Sequence, residues 1–356
     1  MNTYHYILAF ISSFSVVLLA TPSLIKVAKL KHLVDEPSED RKLHKNSIPT
    51  IGGVIIFSAF MFSCFIWFPD NENIGKHISP FFYLMGSLIL LFFVGVKDDI
   101  IGTSPSKKLM AHLVVGFILV GMGEIDIDSF YGIFGMDIIL PAYAKLIISI
   151  FVYIVIVNAI NLIDGIDGLA SGVGLIISIT YGIWFYYSGD VHWAIVAFSL
   201  AGSLLGFLIF NFNPARIFMG DSGSLTIGAI VFVLTVQIIS SNTTHLPVPF
   251  SHISTPVFVI GVLIYPLLDT LRVFVLRTLE GNSPLSADRK HLHHKLQDKG
   301  YGHKKIVLII YSFNILSIIL VSLIPIDDPT IQLLILLSFA MLFTAAVTLT
   351  DKKKHA

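Results

Sequence analysis

Long apolar windows separated by short polar breaks recur from one end of this chain to the other. Each runs for about 17 to 25 residues, the length that carries an α-helix through a bilayer core. Eleven windows are predicted as membrane spans, near 4–28, 50–69, 79–97, 108–123, 141–160, 168–188, 192–211, 223–242, 254–277, 306–324 and 331–349. They are continuously apolar rather than alternating, which argues against a β-barrel. The predicted fold class is therefore all-α, a polytopic integral membrane protein. The breaks leave no room for a sizeable soluble domain, so 1–356 reads as a single membrane-embedded domain.

Composition agrees: 55% of the 356 residues are hydrophobic and 13% charged, with a mean hydropathy of +0.83. The single Cys64 lies inside a predicted span, so no disulfide framework is expected. No basic residue precedes the first span, and "KVAKLKH" (Lys26 to His32) follows it directly. That order is the reverse of a cleavable signal peptide, so the span is expected to be retained with its N-terminus outside. Eleven crossings then place the C-terminus in the cytoplasm. Of 23 Lys and Arg, only Lys76 and Lys145 fall on the outer side under this topology, as the positive-inside rule requires. The acidic outer loops, such as "GEIDIDSFYGIFGMD" from Gly123, read as solvated caps.

Five inner connections, about 29–49, 97–107, 161–168, 212–222 and 278–305, collect the polar residues. The first holds Arg41, Lys42, His44 and Lys45, which are either positive-inside signals or phosphate binders. The second carries Asp98 and Asp99 at the inner end of the third span. An Asp pair there reads as a helix cap or as an ionisable site at the hydrocarbon edge. In the third, Asn161, Asp164 and Asp167 recur at every third position, so a continuing helix would put them on one broad face. The fourth, "NFNPARIFMGDSGSLTIG" from Asn211, offers Asp221 and Ser222 as caps of the eighth span beside Gly220 and Gly223. In the fifth, His291, His293 and His294 stand near Arg289, Lys290 and Lys295. No cysteine and no second ligand pair accompany them, so polyanion contact suits them better than zinc.

Acids and bases gathered on one membrane face would neutralise one another unless something sits between them. A hard divalent cation carrying a diphosphate meets that need: Asp and Asn oxygens face the metal, while Lys, Arg and His face the remaining charge. The pattern points to phosphoryl transfer at the cytoplasmic surface with a lipid partner.

The motifs "RKLHKNSIPTIGG", "KDDIIG", "NLIDGIDGLASG", "FNFNPARIFMGDSGSL" and "DRKHLHHKL" resemble, in order, the polyprenyl-phosphate N-acetylhexosamine-1-phosphate transferase family. Members initiate O-antigen (lipopolysaccharide), enterobacterial common antigen and teichoic acid synthesis, and the phospho-N-acetylmuramoyl-pentapeptide translocase is a distant relative. The resemblance implies an enzyme of the bacterial inner membrane that moves a sugar-1-phosphate from a UDP-sugar to undecaprenyl or another polyprenyl phosphate, releasing UMP. It implies Mg²⁺, with Mn²⁺ as an alternative, held by Asp221 with Asn161 as a second ligand. It places Asp98 and Asp99 at the lipid phosphate or the metal, and Asp164 beside the diphosphate. Asp167 and Phe218 would face the uracil, and Lys45, Asn211, Arg289, His291, His293 and His294 the phosphates and sugar nucleotide. Leu292 interrupts the histidine run, which argues against a muramoyl-pentapeptide donor without naming the sugar; the resemblance to the UDP-N-acetylhexosamine branch makes UDP-N-acetylglucosamine the expected donor, with N-acetylgalactosamine or a deoxy-amino sugar open. No nucleic-acid partner is expected, and a homodimer is left open, the Gly202 to Gly206 spacing being a weak helix-contact signal. A transporter of anionic lipid or nucleotide would instead put polar residues near midplane within internal repeats.

Overall fold

The structure, a computed structural model, describes residues 4–35, 48–68, 74–241, 246–247, 253–281 and 290–349. Apart from a two-residue antiparallel pair (β1, Val34–Asp35; β2, Ile48–Pro49), the regular elements are helical. Among the described residues, nine helices are long and apolar enough to cross a membrane. The expected span at 50–69 is a shorter helix, α2 (Gly52–Trp67), and the one at 254–277 is broken in two with a bend of 78°. The residues fall into two compact units.

The first unit spans 1–128 and 140–245. It contains α1 (Tyr4–Leu30), α2, α3 (Ile74–Ile101), α4 (Pro105–Gly116), α5 (Ala142–Leu162), α6 (Leu169–Ser188), α7 (Val191–Asn211) and α8 (Asp221–Ile239). Helix α8 lies at its centre, buried along nearly its whole length, against α3, α5, α2 and α6. Helix α7 packs on α1 and α6. A Cβ at Gly202 would fall 2.2 Å from the Phe10 carbonyl of α1, so only glycine permits that approach. The Gly202 signal is thereby used within the chain. Ser63 Oγ donates to the Ala9 carbonyl (2.6 Å) and pairs with Ser199 Oγ (2.9 Å), the hydroxyl bonding that joins helices where apolar contact alone provides little association energy.

Several expected boundaries move. Helix α3 runs on to Ile101, so Asp98 and Asp99 belong to its last turn, and α4 starts at Pro105. Helix α5 stops at Leu162, ahead of Gly165 and Gly168, so the single face expected for Asn161, Asp164 and Asp167 does not form.

The second unit comprises 129–139 and 246–356. Its helices are α9 (Thr255–Val262), α10 (Ile264–Leu279), α11 (Leu292–Asp298), α12 (His303–Leu323) and α13 (Pro329–Leu349). The bend between α9 and α10 has a chemical cause. Pro266 lacks the N–H that would bond the Val262 carbonyl, and its ring clashes with that oxygen. Asn314 Nδ2 of α12 donates to the freed carbonyl instead, at 3.1 Å. Helix α10 is two-sided: Leu271, Phe274, Val275 and Leu279 are exposed, whereas Asp269, Val273 and Arg277 are buried.

Candidate active site

The site in the first unit is built on the N-terminus of α8, whose first N–H groups have no partner within the helix. Three backbone bonds fix the chain leading into it: Phe218 N to the Pro49 carbonyl (2.7 Å), Gly52 N to that of Phe218 (2.9 Å) and Gly53 N to that of Met219 (2.7 Å). Helix α3 comes so close that a Cβ at Gly95 would lie 2.4 Å from Ser222 Cα. Asp99, one turn further along, therefore reaches the helix end and accepts from Asp221 N (2.7 Å) and Ser222 N (3.1 Å). The N-cap residue, Gly220, has no side chain to do this. The cap comes from α3 rather than from Asp221 or Ser222, which frees the Asp221 carboxylate for other contacts.

Those contacts converge from two further helices. Lys108 Nζ of α4 bridges Asp98 Oδ2 (3.1 Å) and Asp221 Oδ2, the latter a short contact. Asn161 Nδ2 of α5 donates to Asp221 Oδ1 (3.0 Å) and to Ser224 Oγ (2.8 Å). The Asp98 and Asp221 side chains remain 20% and 21% exposed, open enough to take a ligand. Asp164 follows in the turn after α5, its N–H bonded to the Asn161 carbonyl at 3.1 Å. Burial, with the Asp221 and Asp99 carboxylates adding to it, raises its carboxyl well above the usual range, against one hydrogen bond from the Gly220 backbone. Asp164 is thus a carboxylic acid that keeps its proton where an isolated aspartate would have lost it.

Asp167 points elsewhere. It is buried, and its Oδ2 accepts from Asn213 Nδ2 (2.8 Å) and Ala215 N (3.1 Å). Asn211 completes the bracket: its Oδ1 accepts from Gly168 N (3.1 Å) and Ser171 Oγ (2.8 Å), while Nδ2 donates to the Ile217 carbonyl (2.9 Å). The two side chains tie the turn at 163–168 to the segment 212–219 that bears Phe218.

In the second unit the histidines gather round a carboxylate. Asp269 of α10, fully buried, accepts from His291 Nδ1 (2.9 Å) at Oδ2 and from Leu292 N (2.8 Å) at Oδ1. Arg272, one turn on, lies 3.8 Å from Oδ1 and donates to the Lys290 carbonyl. His293 Nδ1 stands 3.3 Å from Tyr265 Oη, and burial pushes this imidazole down to about 3, against the pull of Asp269, so it is neutral. His294 Nδ1 pairs with Gln297 Oε1 at 2.9 Å. Lys45 and Arg289 lie outside the described residues. Lys108 and Asp269 escaped the sequence reading; the second had a signal, an ionisable residue inside an apolar span.

The donor set suits a hard cation: the Asp98 and Asp221 carboxylates, with the Asn161 amide beside Asp221, around a point where an ammonium already bridges the two acids. Among the described residues no three His, Cys, Asp or Glu side chains come together closely enough to hold a metal unaided. Magnesium does not require that, since it is held by one or two carboxylates, several waters and substrate phosphates.

Residues 81–239 match the family described as glycosyl transferase family 4. The chain is 33% identical over 288 residues to a decaprenyl-phosphate N-acetylglucosaminephosphotransferase of Mycolicibacterium smegmatis, covering 76% of this chain and 70% of the relative. To the probable undecaprenyl-phosphate N-acetylglucosaminyl 1-phosphate transferase of Bacillus subtilis it is 32% identical over 337 residues, 94% and 89% of the two chains. An Escherichia coli undecaprenyl-phosphate alpha-N-acetylglucosaminyl 1-phosphate transferase is 28% identical over 290 residues, 80% and 74%.

Proposed function

The chain belongs to glycosyl transferase family 4, and from that premise we propose that it transfers N-acetylglucosamine-1-phosphate from UDP-N-acetylglucosamine to a polyprenyl phosphate, releasing UMP. The observation that carries this reading is the convergence of Asp98, Lys108, Asn161 and Asp221 at the N-terminus of α8. Asp221, with the Asn161 carbonyl oxygen, would hold Mg²⁺. A divalent cation bound there supplies positive charge to the diphosphate as negative charge builds on the leaving phosphate.

In the reaction a lipid phosphate oxygen forms a bond to the sugar-linked phosphorus in line, and the bond to UMP breaks with its electron pair leaving on UMP. A phosphate monoester has a second pKa of about 6, so the nucleophile is largely dianionic near neutral pH and no strong base is needed. Asp98 orients that phosphate. Lys108, exchanging its carboxylate partners for phosphate oxygens, offsets the charge of the transition state. Asp164 lies beside the diphosphate. The bracket of Asp167, Asn211 and Phe218 receives the uridine end, and Lys45, Arg289 and the His291–His294 segment contact phosphates and sugar.

We further infer a location in the bacterial inner membrane with eleven spans, the N-terminus outside and the site facing the cytoplasm; the charge asymmetry of the loops supports this. Purified protein with polyprenyl phosphate, Mg²⁺ and a panel of UDP-sugars tests the reading. UMP release is expected with UDP-N-acetylglucosamine, and release from no member of the panel would refute it.

A further inference from the structure

Helices α12 and α13 of the second unit leave a groove of 590 Å³ between them, within the range of cavities that take a small organic ligand. Its floor is aromatic: Phe313 of α12 is buried, and the Phe339 and Phe343 rings of α13 stack on it at 5.5 and 3.9 Å. Leu308 and Leu316 of α12 and Leu342 of α13 form the sides, each more than half exposed. Apolar lining on a membrane helix says only that hydrocarbon is near. Two further observations say which lipid.

The first is charge. Lys305 lies at one end of the groove, its ammonium 4.3 Å from the centre of the Tyr301 ring, and among the described residues no carboxylate pairs with it. Tyrosine and lysine side by side are the residue types that settle at headgroup level. Lys304 adjoins, so two cations stand in the first turn of α12. The helix dipole is positive at that end, which makes both lysines unfavourable to the helix itself. An anion at Lys305 removes the conflict.

The second is depth. Between Lys305 and Leu316, at 1.5 Å per residue, the groove runs about 16 Å along α12. Half of a hydrocarbon core about 30 Å thick is about 15 Å. The groove therefore reaches from a membrane surface to the midplane and stops. A membrane-spanning helix of a second copy would need the full thickness, and a polyprenyl chain is far longer than one leaflet is deep. One acyl chain of a phospholipid matches the length.

We propose that this groove binds an anionic phospholipid, one acyl chain lying on Phe313, Phe339 and Phe343 and the phosphate held by Lys305 with Lys304 beside it. The site lies wholly within the second unit and is independent of the transferase reading.

Photocrosslinking of the full chain in phosphatidylcholine nanodiscs tests this. Phosphatidylglycerol with a diazirine on one acyl chain is compared with phosphatidylcholine and polyprenyl phosphate carrying the same group. Phosphatidylglycerol is expected to label the α12 and α13 peptides that line the groove about fivefold or more above phosphatidylcholine, since each lysine near a membrane surface favours an anionic lipid by about that factor. Lys305→Gln should lower the preference about fivefold. Ser312→Trp, which sets an indole in the groove, should remove the label of both phospholipids there; both positions are exposed, so neither change disturbs the core.

Equal labelling by phosphatidylglycerol and phosphatidylcholine would overturn the proposal, leaving an ordinary lipid-facing surface, and this comparison needs no variant to fold. Preferential labelling by polyprenyl phosphate would overturn it in favour of the acceptor lipid. Absence of lipid label from these peptides would do so in favour of a second copy covering the groove. None of these readouts uses UMP release, so failure of the transferase reading leaves them intact.

Discussion

The Lys108 ammonium contacts the Asp221 carboxylate, joining the first turn of α4 to the first residue of α8. A cation fixed between two acids occupies the place where a divalent ion would be drawn, so the two residues should respond oppositely in metal binding. Asp221→Asn should abolish Mn²⁺ binding measured by electron paramagnetic resonance and reduce UMP release about 10²- to 10³-fold. Lys108→Met should bind Mn²⁺ at least as tightly while turnover falls about 10²-fold. Normal turnover in Asp221→Asn would remove the metal assignment.

Neighbouring Asp98 and Asp99 have separable roles. Asp99 caps α8 through two N–H groups, and losing a cap costs about 0.5–2 kcal/mol. Asp99→Ala should therefore lower the melting temperature as well as the activity. Asp98→Ala removes no cap, and its melting temperature should stay close to wild type while turnover drops. Indistinguishable melting curves for the two variants would contradict this division.

Asp164 makes stability depend on pH. Its carboxyl is raised by burial and by Asp221 and Asp99, so between the ordinary value of about 3.9 and the raised one the folded protein binds more protons than the unfolded chain. Stability from this group is fully present below about pH 3.9 and is lost as pH rises through the raised value. Without divalent cation, Asp164→Asn should melt higher than wild type at neutral pH and show a flatter pH profile above pH ~4. A wild-type profile as flat as the variant's there would exclude a retained proton.

Asn211 holds a bracket rather than a reacting atom. Asn211→Leu removes the hydrogen bonds to the Gly168 N–H, the Ser171 hydroxyl and the Ile217 carbonyl, although Ser171 can still donate to the Gly168 carbonyl at 3.3 Å, and a buried polar group left without a partner costs about 1–3 kcal/mol. The expected outcome is a lower melting temperature and a raised KM for the UDP-sugar, with kcat little changed. Steady-state kinetics showing the reverse split would place Asn211 at the reacting centre.

Much of this was legible in the residues, and the gaps have physical reasons. Helices occur in all eleven apolar windows, because hydrocarbon admits no other open-chain solution for the backbone. Asp98, Asp99, Asn161, Asp164 and Asp221 could be drawn together by charge, since so many acids at span ends need a shared partner. The glycines at 165 and 168 were a readable stop, yet the three-residue spacing suggested a continuing face. Pro266 likewise marked the break in the ninth window, but proline is tolerated in membrane helices and gives no angle. Lys108 offered nothing, because its meaning depends on its ammonium reaching Asp221 at the start of α8. Asp269 was masked by the apolar average of its own window.

The close approach of α3 to α8 at Gly95 has a consequence for ion size. With no side chain between the helices, and with Asp99 on its backbone N–H and Asn161 on its carboxylate, Asp221 is anchored from two neighbouring helices. Calcium takes six to eight oxygens at about 2.3–2.6 Å, whereas magnesium is content near 2.0–2.1 Å with few protein ligands. Calcium should therefore compete poorly here, and Gly95→Ala, by prising the helices apart, should erode that discrimination before it abolishes binding.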